Sequence, residues 1–366
     1  MQWSVESSFR KTDISAPPSE NLRPESATLR FGRGPAAQAY PLTVDQTLSW
    51  QPTPKRGVFD AHIDIYALET DELLVPSLVL PSTQHYCYCC SLTVGDDEWR
   101  LAPVSSDPQL LTQSKPTRRQ PDSKSKAPEA VSTHIDLFAI KTALPRAQLR
   151  IQIATKTSPE DYLFVLSRRP HLNDSDTKGA PRSQLLANNR PEHPVPALSQ
   201  MTQPSTQRNG TCSPTALSMV MAYHGAPFQP ATIDACKDPA TGMYGVWPLN
   251  IVQAGSRGFT GAVELFSSWS ELEHYPDPFV ASISFAEGDL DGAPLKKTAG
   301  HLVVVCGTSD GHVLCNDPAA PGADSVKRTY DLEQFTQAWL GSRGAAYVIN
   351  PLATDRHDGS SPVTAR

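Results

Sequence analysis

The chain has 366 residues, of which 39% are hydrophobic and 19% charged, and its formal net charge is -6. This length is enough for about two domains with cores of their own, and the acidic balance argues against a nucleic-acid partner and a basic membrane patch. No apolar run approaches the ~20 residues of a membrane helix, and the opening residues lack the apolar core of a secretory signal. We therefore expect no membrane insertion and a cytoplasmic location.

The first half of the chain has the pattern of an all-β domain. Residues 1–25 are polar and predict a disordered tail. Between residues 26 and 171, apolar and polar residues alternate in three stretches, at 59–66, 133–139 and 148–153. Alternation with a period of two indicates strands with one solvent-facing side, and no long helical pattern interrupts them. We therefore predict a β-sandwich domain at 26–171.

Two segments of the chain are poor in aromatic residues and rich in polar residues and proline. The first, at about 105–132, is rich in Ser, Pro, Lys and Gln and predicts a disordered insertion within the sandwich. The second, at 172–194, predicts a linker between domains. Residues 353–366 are again polar and predict a C-terminal disordered tail.

The pattern of residues 195–352 changes to an α+β order, in which helices come first and strands follow. We predict helices at 213–225, 247–258 and 331–342, the last with Asp331 as its N-cap residue. We predict strands at 279–285, 301–307, 312–317 and 345–350.

Cys212 stands at the first step of the helix predicted at 213–225. Pro214 suits the first turn of a helix, and Gly225 suits its end. The free backbone N–H groups at a helix N-terminus favour an anion, and they lower the pKa of a thiol placed there. The same groups can stabilise the oxyanion that forms when a thiolate attacks a carbonyl. Cys212 is therefore a candidate nucleophile. The simpler alternative is that Cys212 is only a small apolar residue at a turn.

A thiolate nucleophile needs a base and a group that orients the base. Residues 308–311 separate two apolar strands and predict a hairpin that brings His301 opposite Asp317, within one residue. A carboxylate there can hold one imidazole nitrogen while the other nitrogen faces the thiol. Asn316 is the rival orienting residue, because strand alternation lets only one of the two face His301. Asp317 fits a centred turn slightly better than Asn316. The alternative to a catalytic role is that His301 and Asp317 form only a surface contact.

The region from about 195 to 352 resembles the bacterial papain-like cysteine peptidases that are related to bacteriocin-leader-processing peptidases. The stretches that carry the resemblance are 196–201, 212–225, 300–307, 316–322, 328–339 and 345–351. It implies a papain-like α+β fold with N-terminal helices and a C-terminal antiparallel sheet.

In that family, the residue matching Cys212 is the nucleophile, the residue matching His301 is the base and the residue matching Asp317 orients it. A glutamine upstream of the cysteine completes the oxyanion hole. Gln200 resembles that position best, while Gln203 and Gln207 are the alternatives. The spacer between Gln200 and Cys212 is longer than in the leader peptidases proper.

Residues 48–66 and 132–153 resemble a β-sandwich that often precedes this kind of peptidase domain in bacterial proteins. Relatives with this architecture are often exported, so the resemblance implies an extracellular location as the alternative to a cytoplasmic one. The stretch at 85–90 and the long insertion depart from the pattern.

The sequence therefore predicts a cysteine peptidase that hydrolyses a peptide or protein substrate through a thioester acyl-enzyme. This chemistry requires no metal and no cofactor. One alternative is a transferase that passes the acyl group to an amine. Another is a catalytically inert protein whose β-sandwich binds a polymer or a protein surface.

Two further groups of cysteines are candidates for a metal site or a disulfide. His85, Cys87, Cys89 and Cys90 offer soft metal ligands, but alternate residues of a strand point to opposite faces, which disfavours a metal site. Cys306 and Cys315 fall near each other across the predicted hairpin, where an oxidising compartment could join them by a disulfide.

Overall fold

The computed structural model describes residues 28–81, 85–107, 130–170, 189–204 and 208–352. Both predicted tails, most of the predicted insertion and the greater part of the predicted linker lie outside these residues. Within the described ranges, no helix is long and apolar enough to cross a membrane.

The described residues form a structure that is rich in sheet and has few helices. Strands β1 to β6 are Leu29–Arg33, Gln51–Pro52, Val58–Leu68, Glu72–Val79, Cys87–Val94 and Asp97–Arg100. Strands β7 to β11 are Val104–Ser105, Val131–Thr133, Phe138–Ile140, Leu144–Ala154 and Tyr162–Pro170. Strands β12 to β17 are Phe259–Leu265, Phe279–Phe285, Thr298–Ser309, His312–Asn316, Lys327–Asp331 and Ala345–Pro351. Helices α1 to α5 are Gly34–Gln38, Cys212–Tyr223, Pro230–Ala235, Trp247–Gly255 and Leu332–Trp339.

The N-terminal half contains two antiparallel sheets. One has the strand order β1-β11-β4-β9-β8, and the other has the order β2-β3-β10-β5-β6, with β7 beside β5. Ile63 and Ile65 of β3 are buried while the residues between them face solvent, as the alternation predicts. Both sheets contribute to one buried cluster, in which Phe164 of the first sheet joins Leu149 of the second.

Two sequence predictions for this half are wrong in part. The strand predicted at 133–139 is interrupted, because the His134 N–H donates to the Leu137 carbonyl in a turn between β8 and β9. The turn brings the Asp136 carboxylate within 3.3 Å of the Trp247 N–H at the start of α4. The ordered structure also extends into the predicted insertion at both ends, since Ser105 in β7 and Val131 in β8 are buried.

The C-terminal half is built on one sheet with the strand order β12-β17-β13-β14-β15-β16. Helix α2 packs against β14 and α4, and α5 packs against β13 and β16. The predicted helices α2 and α4 precede the strands as expected, and the helix α3 between them was not predicted. Strand β12 comes before the predicted strands, and α5 follows most of them. Asp331 accepts hydrogen bonds from the Glu333 and Gln334 N–H groups, which confirms it as the N-cap residue of α5.

The two halves pack against each other through β12. Glu264 of β12 is 1% exposed and lies 2.9 Å from Arg30 Nε. The same carboxylate accepts hydrogen bonds from the Tyr40 hydroxyl at 2.7 Å and the Ser167 hydroxyl at 3.0 Å. A buried carboxylate is tolerated only when it is paired in this way. Both oxygens of this interface carboxylate are therefore hydrogen-bonded to residues of the N-terminal half.

The described end of the predicted linker lies along β14. The Arg190 N–H donates to the Thr308 carbonyl at 3.1 Å, and the Thr308 N–H donates back to the Arg190 carbonyl. The Arg190 guanidinium donates to the Leu272 and Tyr275 carbonyls. Residues 189–194 are thus bonded to the C-terminal sheet before the chain reaches α2.

Candidate active site

Cys212 is the first residue of α2, as the sequence predicts. Thr211 precedes the helix without a side-chain capping bond, so its hydroxyl does not satisfy the first-turn N–H groups. Pro214 contributes no N–H group to this turn. Every residue of the helix from Ser213 to Met221 is buried. The helix is therefore enclosed by the fold, with its N-terminus at the thiol.

His301 and Asp317 form a buried pair. His301 Nε2 lies 2.8 Å from Asp317 Oδ1, and the two side chains are 3% and 1% exposed. The Ala319 N–H also donates to Oδ1, and the Tyr330 hydroxyl donates to Oδ2, each at 2.8 Å. Because Nε2 contacts the carboxylate, Nδ1 is the nitrogen left for the thiol, and Cys212 and His301 interact closely enough for each to shift the pKa of the other.

The hairpin of β14 and β15 differs from the predicted one in register. Its two-residue turn is Asp310-Gly311, both with positive φ, and Ser309 pairs with His312. A bulge at Cys306 shifts the pairing by one residue, so that Val304 pairs with Asn316. Continuing that register would place Val303 opposite Asp317.

His301 therefore contacts Asp317 diagonally, because it lies two residues before Val303, the residue opposite Asp317. Residues two apart on a strand share a face, so the contact is possible. Asn316 points to the other face, where its amide donates to the Val195 carbonyl at 3.1 Å. Of the two rival orienting residues, the structure brings only Asp317 to His301.

The charges of the three groups are coupled. Burial alone would raise the pKa of Cys212, but the hydrogen bond with His301, the charge of that imidazole and the N–H groups of Leu302 and Ser213 lower it. Burial alone would lower the pKa of His301, but the Asp317 carboxylate and Cys212 raise it to about 10. Burial opposes ionisation of Asp317 as well, and His301, Ala319 and Tyr330 keep its pKa below the ordinary value. The arrangement favours a thiolate beside an imidazolium.

Gln200 lies in a short 3₁₀ turn, Gln200–Thr202, upstream of the nucleophile helix. Its backbone N–H donates to the Pro318 carbonyl at 2.8 Å, next to Asp317. Its side-chain Nε2 donates to the Arg208 carbonyl, and its Oε1 is buried without a partner. Of the alternatives, Gln203 ends the same turn, and Gln207 lies outside the described residues.

The other cysteines take no part in this cluster. All seven cysteines are free thiols, so Cys306 and Cys315 do not form a disulfide in this structure. Cys89 accepts a hydrogen bond from Arg100, and Cys90 points into the core. Within the described part of the chain, no group of three or more His, Cys, Asp or Glu residues could hold a metal ion.

Tyr330 is a contact of the site that the sequence analysis did not identify. It lies inside the stretch 328–339, which carries part of the family resemblance. The strand pattern alone does not show which residue its hydroxyl contacts. The signal available was its position on a strand beside the hairpin: Tyr330 pairs with Val313 of β15.

Residues 192–347 match the family model described as Peptidase_C39 like family. A double-glycine motif protease from an AMS/PCAT transporter, solved in complex with the leader peptide, is 19% identical over 44% of this chain and 95% of its own, with a TM-score of 0.32. A structure described as a C39-like peptidase from Bacillus anthracis is 17% identical over 44% of this chain and 96% of its own, with a TM-score of 0.34. No curated protein matches the chain. The family match over residues 192–347 confirms the resemblance to these peptidases found in the sequence.

Proposed function

We propose that the chain is a cysteine peptidase in which Cys212 is the nucleophile, His301 is the base and Asp317 orients the base. The observation that carries this proposal is the buried 2.8 Å contact between His301 Nε2 and Asp317 Oδ1. The imidazole in that contact also interacts with a thiol at a helix N-terminus, and each group shifts the pKa of the other. A nucleophile, a base and a group that orients the base are the three parts that covalent catalysis requires.

In the acylation step, the Cys212 thiolate attacks the carbonyl carbon of the peptide bond. The carbonyl π electrons move to oxygen, and the backbone N–H groups at the start of α2 stabilise the resulting oxyanion. The C–N bond then breaks as the His301 imidazolium gives its proton to the departing amine. The products are a free amine and a thioester on Cys212.

In the deacylation step, His301 is neutral and accepts a proton from water. The hydroxide attacks the thioester carbonyl, and the C–S bond breaks to release the carboxylic acid and the Cys212 thiolate. His301 keeps the proton, so the thiolate and imidazolium pair is restored. Asp317 stays ionised throughout and holds the ring in place.

Gln200 is the proposed side-chain donor to the oxyanion. The hydrogen bond from its backbone N–H to the carbonyl of Pro318, the residue after Asp317, supports this role. In the structure its amide donates to the Arg208 carbonyl, four residues before Cys212. The proposal requires this amide to exchange the Arg208 carbonyl for the oxyanion when substrate binds.

The proposed domain organisation is a β-sandwich at 26–171 followed by a papain-like peptidase domain at 195–352. The buried cluster shared by the two N-terminal sheets supports the sandwich. The proposed partner is a peptide or protein substrate, which the family match supports.

The proposal is tested by digesting a proteome-derived peptide library with the wild-type chain and with Cys212→Ala. Cys87→Ala is the matched control, because Cys87 is a half-buried thiol of the N-terminal half whose pKa burial raises to about 12. We expect the wild type and Cys87→Ala to cleave the same peptides and Cys212→Ala to cleave none. Equal cleavage by Cys212→Ala, or none by any of the three, would reject the proposal.

A further inference from the structure

Tyr330 reaches the Asp317 carboxylate from the strand on the far side of the hairpin. It is fully buried, and its hydroxyl donates to Asp317 Oδ2 at 2.8 Å. Its ring stacks on Phe335 of α5 with centroids 6.0 Å apart and an interplanar angle of 18°. Pairing of β16 with β15 and packing against α5 therefore fix the position of this hydroxyl.

The Asp317 carboxylate is bonded on both oxygens. Oδ1 accepts from His301 and from the Ala319 N–H, while Oδ2 accepts from Tyr330. A single contact would leave the carboxylate free to rotate about χ2, because this torsion angle has no sharply preferred value in Asp. Donors on opposite oxygens fix the plane of the group and so fix the direction in which Oδ1 meets the imidazole.

We infer that Tyr330 is a positioning residue that acts through Asp317: its hydroxyl holds the carboxylate ionised and aligned toward His301. The inference rests on the proposed function, because it gives Tyr330 a part in orienting the base. Tyr330 contacts the carboxylate and not the substrate, so it is not a catalytic residue.

The chemistry of the surrounding groups supports this role. Burial and the neighbouring Asp317 raise the pKa of Tyr330 well above its ordinary value, so the phenol keeps its proton and remains a donor. The titratable groups that act on Asp317 or its partners include His301 of β14, Cys212 of α2, Cys315 of β15, and Arg328 beside Tyr330 on β16. Burial raises the pKa of the Cys315 thiol, which is therefore neutral.

Another buried tyrosine provides a matched control. The Tyr275 hydroxyl donates to the Ile349 carbonyl at 3.1 Å and accepts from the Ile349 N–H at 3.1 Å. Tyr275→Phe and Tyr330→Phe each remove one buried hydroxyl that donates to an oxygen. Only Tyr330→Phe removes a donor to the carboxylate.

The first test needs no substrate. The carboxyl carbon of Asp317 is followed by ¹³C NMR as a function of pH, with the resonance assigned by its loss in Asp317→Asn. A hydrogen bond to the charged form lowers a carboxyl pKa, so Tyr330→Phe is expected to raise the midpoint by about one pH unit. Tyr275→Phe is expected to leave it in place. An unchanged midpoint in a folded Tyr330→Phe, or an equal shift in Tyr275→Phe, would overturn the inference.

The second test is kinetic. We expect Tyr330→Phe to lower kcat roughly tenfold with little change in KM, because alignment of the base is lost while substrate contacts remain. In an Asp317→Ala background, the same substitution should cause no further loss, because the group it acts through is gone. Additive losses in the double variant would overturn the inference.

The two proposals fail in different ways. Absence of cleavage that depends on Cys212 rejects the proposed peptidase and leaves the NMR midpoint to decide on the contact of Tyr330 with Asp317. If Tyr330→Phe does not fold, the wild-type hydroxyl proton provides the measurement. It is expected as a slowly exchanging downfield resonance that moves with the Asp317 midpoint, and a rapidly exchanging hydroxyl would overturn the inference.

Discussion

His301 bonds Asp317 diagonally across the β14–β15 hairpin, at 2.8 Å, although the register of the strands would place Val303 opposite Asp317. This relationship depends on the bulge at Cys306. With the observed turn and no bulge, the residue opposite Val305 would be Asn316, and Asn316 would then share the face of His301. The bulge shifts the register by one residue, so that the carboxylate and not the amide meets the imidazole.

This geometry predicts opposite outcomes for two neighbouring side chains. Asp317→Asn removes the charge beside His301 and should lower kcat/KM by about 10²-fold or more. Asn316→Ala removes the bond to the Val195 carbonyl on the other face and should cost about 1–3 kcal/mol of unfolding free energy while kcat is retained. Steady-state kinetics and urea unfolding of both variants provide the comparison. A larger loss of kcat in Asn316→Ala would show that the faces are assigned wrongly.

The coupled charges predict the pH range of activity. The reactive form carries a thiolate on Cys212 and a proton on His301. The pKa of Cys212 is lowered from 9.0, so the thiolate already forms at a pH below 9.0. The pKa of His301 is raised from 6.5 to about 10, so the form is lost as pH approaches 10.

A profile of kcat/KM against pH should therefore be bell-shaped, with an alkaline limb far above 6.5. Asp317→Asn should move the alkaline limb down, because the carboxylate that raises the pKa of His301 is gone. An alkaline limb at the same pH in both proteins would contradict the assigned role of Asp317.

Gln200 is predicted to act after substrate binds. Gln200→Ala should lower kcat by about 10²-fold with little change in KM, because an oxyanion donor acts mainly in the transition state. Gln203→Ala, at the end of the same turn, is the matched control and should retain kcat. If Gln203→Ala causes the larger loss, the oxyanion role belongs to the alternative residue.

The interface between the halves predicts that they unfold together. Glu264→Gln leaves Arg30 without its ion-pair partner in a site where Glu264 is 1% exposed, and should cost about 3 kcal/mol of unfolding free energy. Arg146→Gln breaks the exposed pair with Asp64 and should leave the unfolding midpoint unchanged within error. Urea unfolding followed by circular dichroism and tryptophan fluorescence should give one shared midpoint. Two separate transitions would contradict a common folding unit.

Sequence reasoning predicted the site better than it predicted the sheets. The start of α2 at Cys212 follows from Pro214 in its first turn, and the N-cap at Asp331 follows from capping chemistry. Both signals depend on a few neighbouring residues. The His301–Asp317 contact was expected, but as a directly opposed pair. The bulge at Cys306 that makes it diagonal has no signature in the strand pattern.

Other features could not be predicted from local patterns. All eight residues of β4 are buried. One face of β4 packs within the N-terminal half, and the other packs against β12 and α4. Because neither face meets solvent, the sequence of β4 does not alternate. The contacts of Glu264 with Arg30 and Tyr40 join residues more than 200 positions apart. Such pairings depend on the assembled fold, which a single sequence does not reveal.

The most direct measurement for the reactive Cys212–His301 pair is alkylation of Cys212 by iodoacetamide at pH 6, followed by mass spectrometry of the cysteine-containing peptides. An ordinary thiol is almost fully protonated at this pH. The account predicts rapid labelling of Cys212 ahead of the other six cysteines in the wild type, and its loss in His301→Ala with the fold retained. Labelling of Cys212 that is no faster than that of Cys87, or that is unchanged in His301→Ala, would contradict it.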